Sequence, residues 1–175
     1  MRRLSIILLS ILSLAGCARN LPPILFLPST VESSSIPITD AALGAVTVTT
    51  KSSGVEKHIS ADTFKVALVE ILKRTNYFGD DRTKAIKIDA EIYQATFPLF
   101  GFIMKSDLGV HYIVSASGGK VLLDEYVFYQ GRATIADELM GSVRALLAFQ
   151  KANEGHFAIL LPMLKAALSR CRGRC

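Results

Sequence analysis

Ile86-Lys87-Ile88-Asp89-Ala90-Glu91-Ile92-Tyr93 is the stretch that decides the fold. Its apolar residues Ile86, Ile88, Ala90 and Ile92 alternate with Lys87, Asp89, Glu91 and Tyr93. A period of two turns successive side chains to opposite faces, so this is a strand with one face buried and the other wet. Asp89, Glu91 and Lys87 share the wet face. Paired carboxylates there suggest acid-base chemistry, but no neighbouring residue offers a desolvating pocket, and an outward charged stripe is the simpler account.

Upstream, Phe64, Leu68, Ile71 and Leu72 recur at the spacing of one helical face while Lys65, Glu70, Lys73 and Arg74 line another. This predicts a helix from Ala61 to about Asn76, capped by Ser60 and ended by Gly79 and Asp80-Asp81. Before it, the β-branched run Leu43 to Thr49 reads as a strand. Ser52-Ser53-Gly54 then turns the chain into a short extended piece, Val55 to Ile59. Downstream, Val110, Tyr112 and Val114 alternate with His111, Ile113 and Ser115, and Val121 to Tyr129 matches them across Ser117-Gly118-Gly119-Lys120. Two strands joined by Gly-Gly make a hairpin.

Thr134 with Asp137 resembles a capping arrangement, from which Leu139, Val143, Leu146 and Leu147 continue a helix to about Asn153. Phe157, Leu160, Leu161, Leu164 and Leu168 repeat at helical spacing beyond it. Pro162 kinks that stretch or marks where it restarts. The expected fold class is α+β: a single antiparallel or mixed sheet of about four strands with helices on one face, in the order β-α-β-β-β-α, the last helix in one piece or two.

The N-terminus sets an expected address. Met1-Arg2-Arg3 is a positive start, Leu4 to Leu14 is apolar apart from serines, and Leu14-Ala15-Gly16-Cys17 closes the segment. Small residues before the cut suit a signal peptidase, and Cys17 supplies a sulfur for acylation. An apolar run of eleven residues falls short of the roughly 20 that span a bilayer as a helix. Cys17 is therefore the expected lipid anchor, holding a periplasm-facing chain at a membrane. Aspartate, the familiar inner-membrane retention signal, is absent from position 18, where Ala18 precedes Arg19, and this favours the outer membrane.

The implied divisions are a signal peptide over 1–16, a lipidated Pro/Ser-rich tether over 17–39, an α+β domain over 40–169 and a basic tail over 170–175. Without residues 1–16 the chain holds 18 basic against 15 acidic side chains. Lys165, Arg170, Arg172 and Arg174 all follow Glu154, the last acidic residue, and the rest is near neutral. No nucleic-acid partner is expected. The tail is either a solvated end or a contact for anionic headgroups.

In layout the chain resembles small Gram-negative envelope lipoproteins of the YajG type and, more distantly, lipopolysaccharide-assembly and transport-auxiliary lipoproteins. The matching features are Leu14-Ala15-Gly16-Cys17, the helix Phe64 to Leu72, the strand Ile86 to Tyr93, the turn at Gly118-Gly119 and the late helix with Ala136-Asp137 near its start. Some such relatives are labelled UDP-N-acetylglucosamine acyltransferases. The hexapeptide repeats that label implies have no counterpart here.

No catalytic constellation, cofactor site or metal site is expected. His58, His111 and His156 are scattered, and neither a G-x-S-x-G elbow nor a phosphate-cradling loop occurs. Cys171 and Cys175 form a local disulfide or remain free thiols. Phe97-Pro98-Leu99-Phe100-Gly101-Phe102-Ile103-Met104 concentrates apolar residues between strands, where loops are usually polar. Either it packs on its own domain, or Phe97, Phe100 and Phe102 present a patch for a protein, an acyl chain or a membrane. The expected function is that of an anchored envelope lipoprotein binding a protein or lipid-like partner; the alternative is an acyl- or sugar-modifying transferase.

Overall fold

The structure, a computed structural model, describes residues 27–28, 31–51, 59–98 and 100–171. The element order is β1 (Thr39–Thr50), α1 (Ala61–Thr75), β2 (Phe78–Ala95), β3 (Ile103–Ser115), β4 (Val121–Thr134) and α2 (Gly141–Arg170). These strands form one sheet in the order β1-β2-β3-β4. β1 pairs parallel to β2, and the other two pairs are antiparallel. The sheet is thus mixed, as α1 is the crossover that a parallel neighbour requires.

The period-two pattern sorts the sheet into two faces. Ile86, Ile88, Ala90 and Ile92 of β2 are buried with Val110, Tyr112 and Val114 of β3 and Val127 of β4. Phe64, Leu68, Ile71 and Leu72 of α1 and Phe149, Phe157, Leu160 and Leu164 of α2 complete that core. On the other face Lys87 Nζ lies 2.8 Å from Asp89 Oδ2.

Strand β2 extends further than its alternating centre, because Gly79, Asp80 and Asp81 are not a break after α1 but the start of the strand. The backbone of Asp40 in β1 comes so close to Gly79 that a Cβ there has no room. The stop is set instead by Asn76, whose left-handed backbone (φ 54°) ends α1. Ser60 occupies the N-cap position, but its side chain makes no capping hydrogen bond. The turn at 52–54 and most of the extended piece 55–59 lie outside the described residues.

Helix α2 corrects two expectations. Thr134 and Asp137 do not cap it: Asp137 Oδ2 accepts from the Thr134 N–H and Oγ1, both at 2.8 Å, closing a turn at the end of β4. The helix begins only at Gly141, and Leu139 and Val143 lie outside its buried stripe, which starts with Arg144, Ala145, Ala148, Phe149 and Ala152. Small residues win that stripe because α2 sits hard against β4, where Gly131 faces the backbone of Ala148 and Ala152. Pro162 lies inside the continuous helix. It is exposed, as is Ala158, whose carbonyl loses its helical partner to the ring.

Residues 31–38 dock on the domain. The Ser34 N–H donates to Thr75 O at 2.8 Å, the Ile38 N–H donates to Tyr77 O at 3.0 Å, and Lys165 Nζ lies 3.3 Å from Glu32.

The seat at Gly131 is directly testable. Gly131→Ala drives a Cβ into the α2 backbone and costs about 1–3 kcal/mol of overpacking, lowering the thermal midpoint by roughly 3–10 °C. Gly118→Ala, which meets nothing within 4 Å, leaves the midpoint within about a degree. Equal midpoints for the two variants contradict the close seat.

Candidate functional site

Ile103 pairs with Thr134 at one end of the sheet, so the loops that precede β3 and follow β4 leave it side by side. Arg144, one turn into α2, ties them together. Its Nη2 donates to Gly101 O at 2.9 Å, and its Nη1 donates to Glu138 O at 2.7 Å and to Leu139 O at 3.1 Å. The residue is only 6 % exposed, so three carbonyl oxygens stand in for the water its charge has lost.

Gly101 adopts φ 137°, a conformation that side-chain-bearing residues avoid. The bend turns both flanking aromatic rings outward: Phe100 is 87 % and Phe102 80 % exposed. Across the clamp, Leu139 is 81 % and Met140 62 % exposed, with Ile103 and Ile135 at their feet. The second loop is braced too. Its Met140 N–H donates to Glu138 Oε1 at 3.0 Å, and Lys151 Nζ lies 2.8 Å from Asp137. The Lys151 ammonium and the two bonds from Thr134 hold the Asp137 carboxyl well below the usual carboxylate range.

Next along the open face of the sheet, Lys105 and Arg132 stand directly opposite each other. Like charges in that relation destabilise a strand pair. Asp107, two residues on, is engaged by Gln130 Nε2 at 2.7 Å and Thr96 Oγ1 at 3.2 Å.

The loop of three phenylalanines therefore divides. Phe97 turns in, its ring 5.8 Å from that of Phe149, while Phe100 and Phe102 turn out. Leu99 lies outside the described residues, as do Leu14, Ala15, Gly16, Cys17, His58 and Cys175. Cys171 is buried at the end of α2 and disulfide-bonded. The sequence points to none of Leu139, Met140 and Arg144 as site residues: Leu139 falls at helical spacing with Val143, and an arginine in an alanine-rich stripe carries no recognisable signal.

The described histidines serve other ends. His156 Nε2 lies 2.9 Å from Tyr112 Oη, with both residues inside the core between α2 and the sheet. Burial pushes His156 down to about 3, against a weaker opposing pull from the Leu108 backbone, which makes no well-formed bond to Nδ1. Burial likewise raises the Tyr112 phenol well above its ordinary value. His111 Nε2 lies 2.6 Å from Asp124 Oδ1, its ring stacked 4.0 Å from that of Tyr126 on the open sheet face. Among the described residues no group of three or more His, Cys, Asp or Glu is placed to hold a metal ion, and no helix is long and apolar enough to cross a membrane.

A large groove of about 850 Å³ lies between α2 and the N-terminal segment, lined by Glu32, Tyr77, Phe157, Leu161 and Lys165 among others. It touches neither histidine. Fold and site together define an α+β domain with a four-stranded mixed sheet, two helices on one face and a braced apolar tip.

The same architecture occurs in protein XCC0632 from Xanthomonas campestris, described by the family model DUF330. The likeness has a TM-score of 0.62 at 8% sequence identity and covers 82% of this chain and 94% of that one. At that identity it speaks for the fold alone. No protein-family model and no curated protein matches this sequence, so the YajG-type resemblance remains one of layout.

Two measurements probe the site and the core beside it. Arg144→Met strips the loops of their shared donor and costs about 2 kcal/mol, a fall of roughly 5–10 °C in thermal midpoint; an unchanged midpoint contradicts the clamp. For His156, the unfolded chain takes up a proton near pH 6.5 and the folded chain only near 3, so acid favours unfolding throughout that window. Stability falls by about 1.4 kcal/mol per pH unit below 6.5. The carboxyls of Asp81 and Asp137 join only in more acid solution. Denaturant titrations between about pH 6 and 4.5 show this slope in the native protein and lose it in the double variant Tyr112→Phe, His156→Leu. An identical slope in both rules out His156 as its source.

Proposed function

We propose that this chain is a lipid-anchored cell-envelope lipoprotein, held through Cys17 at the periplasmic face of the outer membrane, whose domain binds a protein or lipid-like partner. The observation that carries this is the tip: Phe100, Phe102, Leu139 and Met140 expose apolar side chains on loops pinned to a buried arginine. A solvated loop gains nothing from such a composition. Large apolar groups displayed together at one end of a small domain mark an interaction site, and pre-ordering lowers the entropic cost of using it.

The sequence Leu14-Ala15-Gly16-Cys17 supports the anchor, through the small residues before the cut and the acceptor sulfur at it. On this reading the basic residues Arg172 and Arg174 and the disulfide of Cys171 are accessory. No observation favours the transferase alternative. Among the described residues neither His111 nor His156 hydrogen-bonds a serine, threonine or cysteine, and the Ser169 hydroxyl in the large groove donates to the Lys165 carbonyl at 2.7 Å.

Intact-mass measurement on protein purified from membranes tests the anchor. A chain beginning at an acylated Cys17 is expected; a retained leader or an unmodified cysteine overturns it. Photo-crosslinking from position 100 or 102 in intact envelopes tests the tip, with an adduct expected there and none from position 66 on the exposed face of α1. Equal yields at all three positions count against a binding role for the tip.

A further inference from the structure

The tip has a chemistry that selects one kind of partner. Six exposed or half-exposed apolar side chains, Phe100, Phe102, Ile103, Ile135, Leu139 and Met140, stand at the end of the sheet. Directly behind them the like-charged pair Lys105 and Arg132 faces the open side. We propose that this tip inserts into the interface of an anionic phospholipid leaflet, the apolar residues entering the acyl boundary while Lys105 and Arg132 meet headgroup phosphates. This deepens the proposed function and rests on its lipid anchor for the orientation of the domain.

Three observations point to a bilayer. The apolar groups sit on two loops at one end of the sheet and stand exposed there, as groups that enter an interface must. The cross-strand cations repel each other in the isolated domain, and phosphate groups between or beneath them convert that repulsion into attraction worth about fivefold in affinity per charge. Cations behind an apolar front are the arrangement that interfacial segments use. The nearby carboxylates are engaged within the domain, Asp107 by Gln130 and Thr96, Asp137 by Lys151 and Glu138 by the Met140 N–H.

The third observation is the direction of the chain. Ser34 bonds to Thr75 at the C-terminal end of α1, whereas Leu27 lies beside Lys65, Val69 and Lys73, nearer the middle of that helix. From Ser34 back to Leu27 the chain therefore runs toward the end where α1 begins and β1 and β2 finish, the end that carries the tip. Ten positions separate Leu27 from Cys17, a reach of at most about 33 Å. That reach is long enough for an anchor at Cys17 and the tip to address one surface.

The chain contains no tryptophan, so Phe102→Trp makes a single emitter at the tip, Phe100→Trp an independent second one, and Val66→Trp a control on the exposed face of α1. Each full-length variant is reconstituted into vesicles of phosphatidylethanolamine and phosphatidylglycerol with and without brominated acyl chains. Brominated chains are expected to reduce tip emission by roughly half and to leave the Val66→Trp emission unchanged. Adding Lys105→Gln and Arg132→Gln lowers the ratio of inserted to free tip by roughly twentyfold. Phosphatidylcholine vesicles have the same direction of effect.

Protein that floats with the vesicles yet leaves both tip emitters unquenched overturns the insertion while the anchor stands, and passes the tip to a protein partner. Quenching in a chain whose mass shows no acyl group at Cys17 keeps the insertion and removes the anchor. Quenching equal at positions 66 and 102 overturns the tip as the point of contact.

Discussion

Arg144 takes a full positive charge into a site where little of it meets water, and among the described residues no carboxylate pairs with it. Three carbonyl oxygens, from Gly101, Glu138 and Leu139, solvate the guanidinium instead. Those carbonyls belong to two loops separated by all of β3 and β4, so satisfying one buried charge fixes the relative position of both. Its Nε finds no partner, and the site is correspondingly sensitive to how well the remaining donors are aimed. A lysine, with a single flexible ammonium, lacks the planar fork that reaches both loops at once.

That clamp works only because α2 is seated where it is. Gly131 lets the helix backbone come against β4, and the alanine stripe Ala145, Ala148 and Ala152 is what such an approach demands. One turn before Ala148, the same stripe carries Arg144 under the loops. Close seating and the charge clamp are therefore successive turns of one helical face. The cost of rigidity falls on the core, and its result appears at the surface, where aromatic rings are held out of the domain.

The parts of the fold that rest on strong periodicity were legible in the sequence. The alternation of Ile86 to Tyr93, the face of Phe64, Leu68, Ile71 and Leu72, and the Gly118-Gly119 turn each report a local constraint that the tertiary structure keeps. Helix α2 was harder, because its buried stripe is built from alanines, while the larger Leu139 and Val143 stay outside. A reading weighted by side-chain size selects the wrong residues there. At Pro162 the sequence left a kink and a restart open, and the helix runs through it without restarting. At the site, the clustering of phenylalanines was visible, but the division of Phe97 from Phe100 and Phe102 was not. It depends on Gly101 and on a donor forty-three residues away in the chain.

A tip held by a buried charge should be as rigid as the sheet that bears it. Backbone ¹⁵N relaxation of the native protein measures this directly at residues 100–102 and 138–140. Order parameters of about 0.85, matching those of β3 and β4, are the result expected for clamped loops. Values below about 0.6 at those positions would show that Arg144 does not hold them, and that the apolar display is one conformation among many.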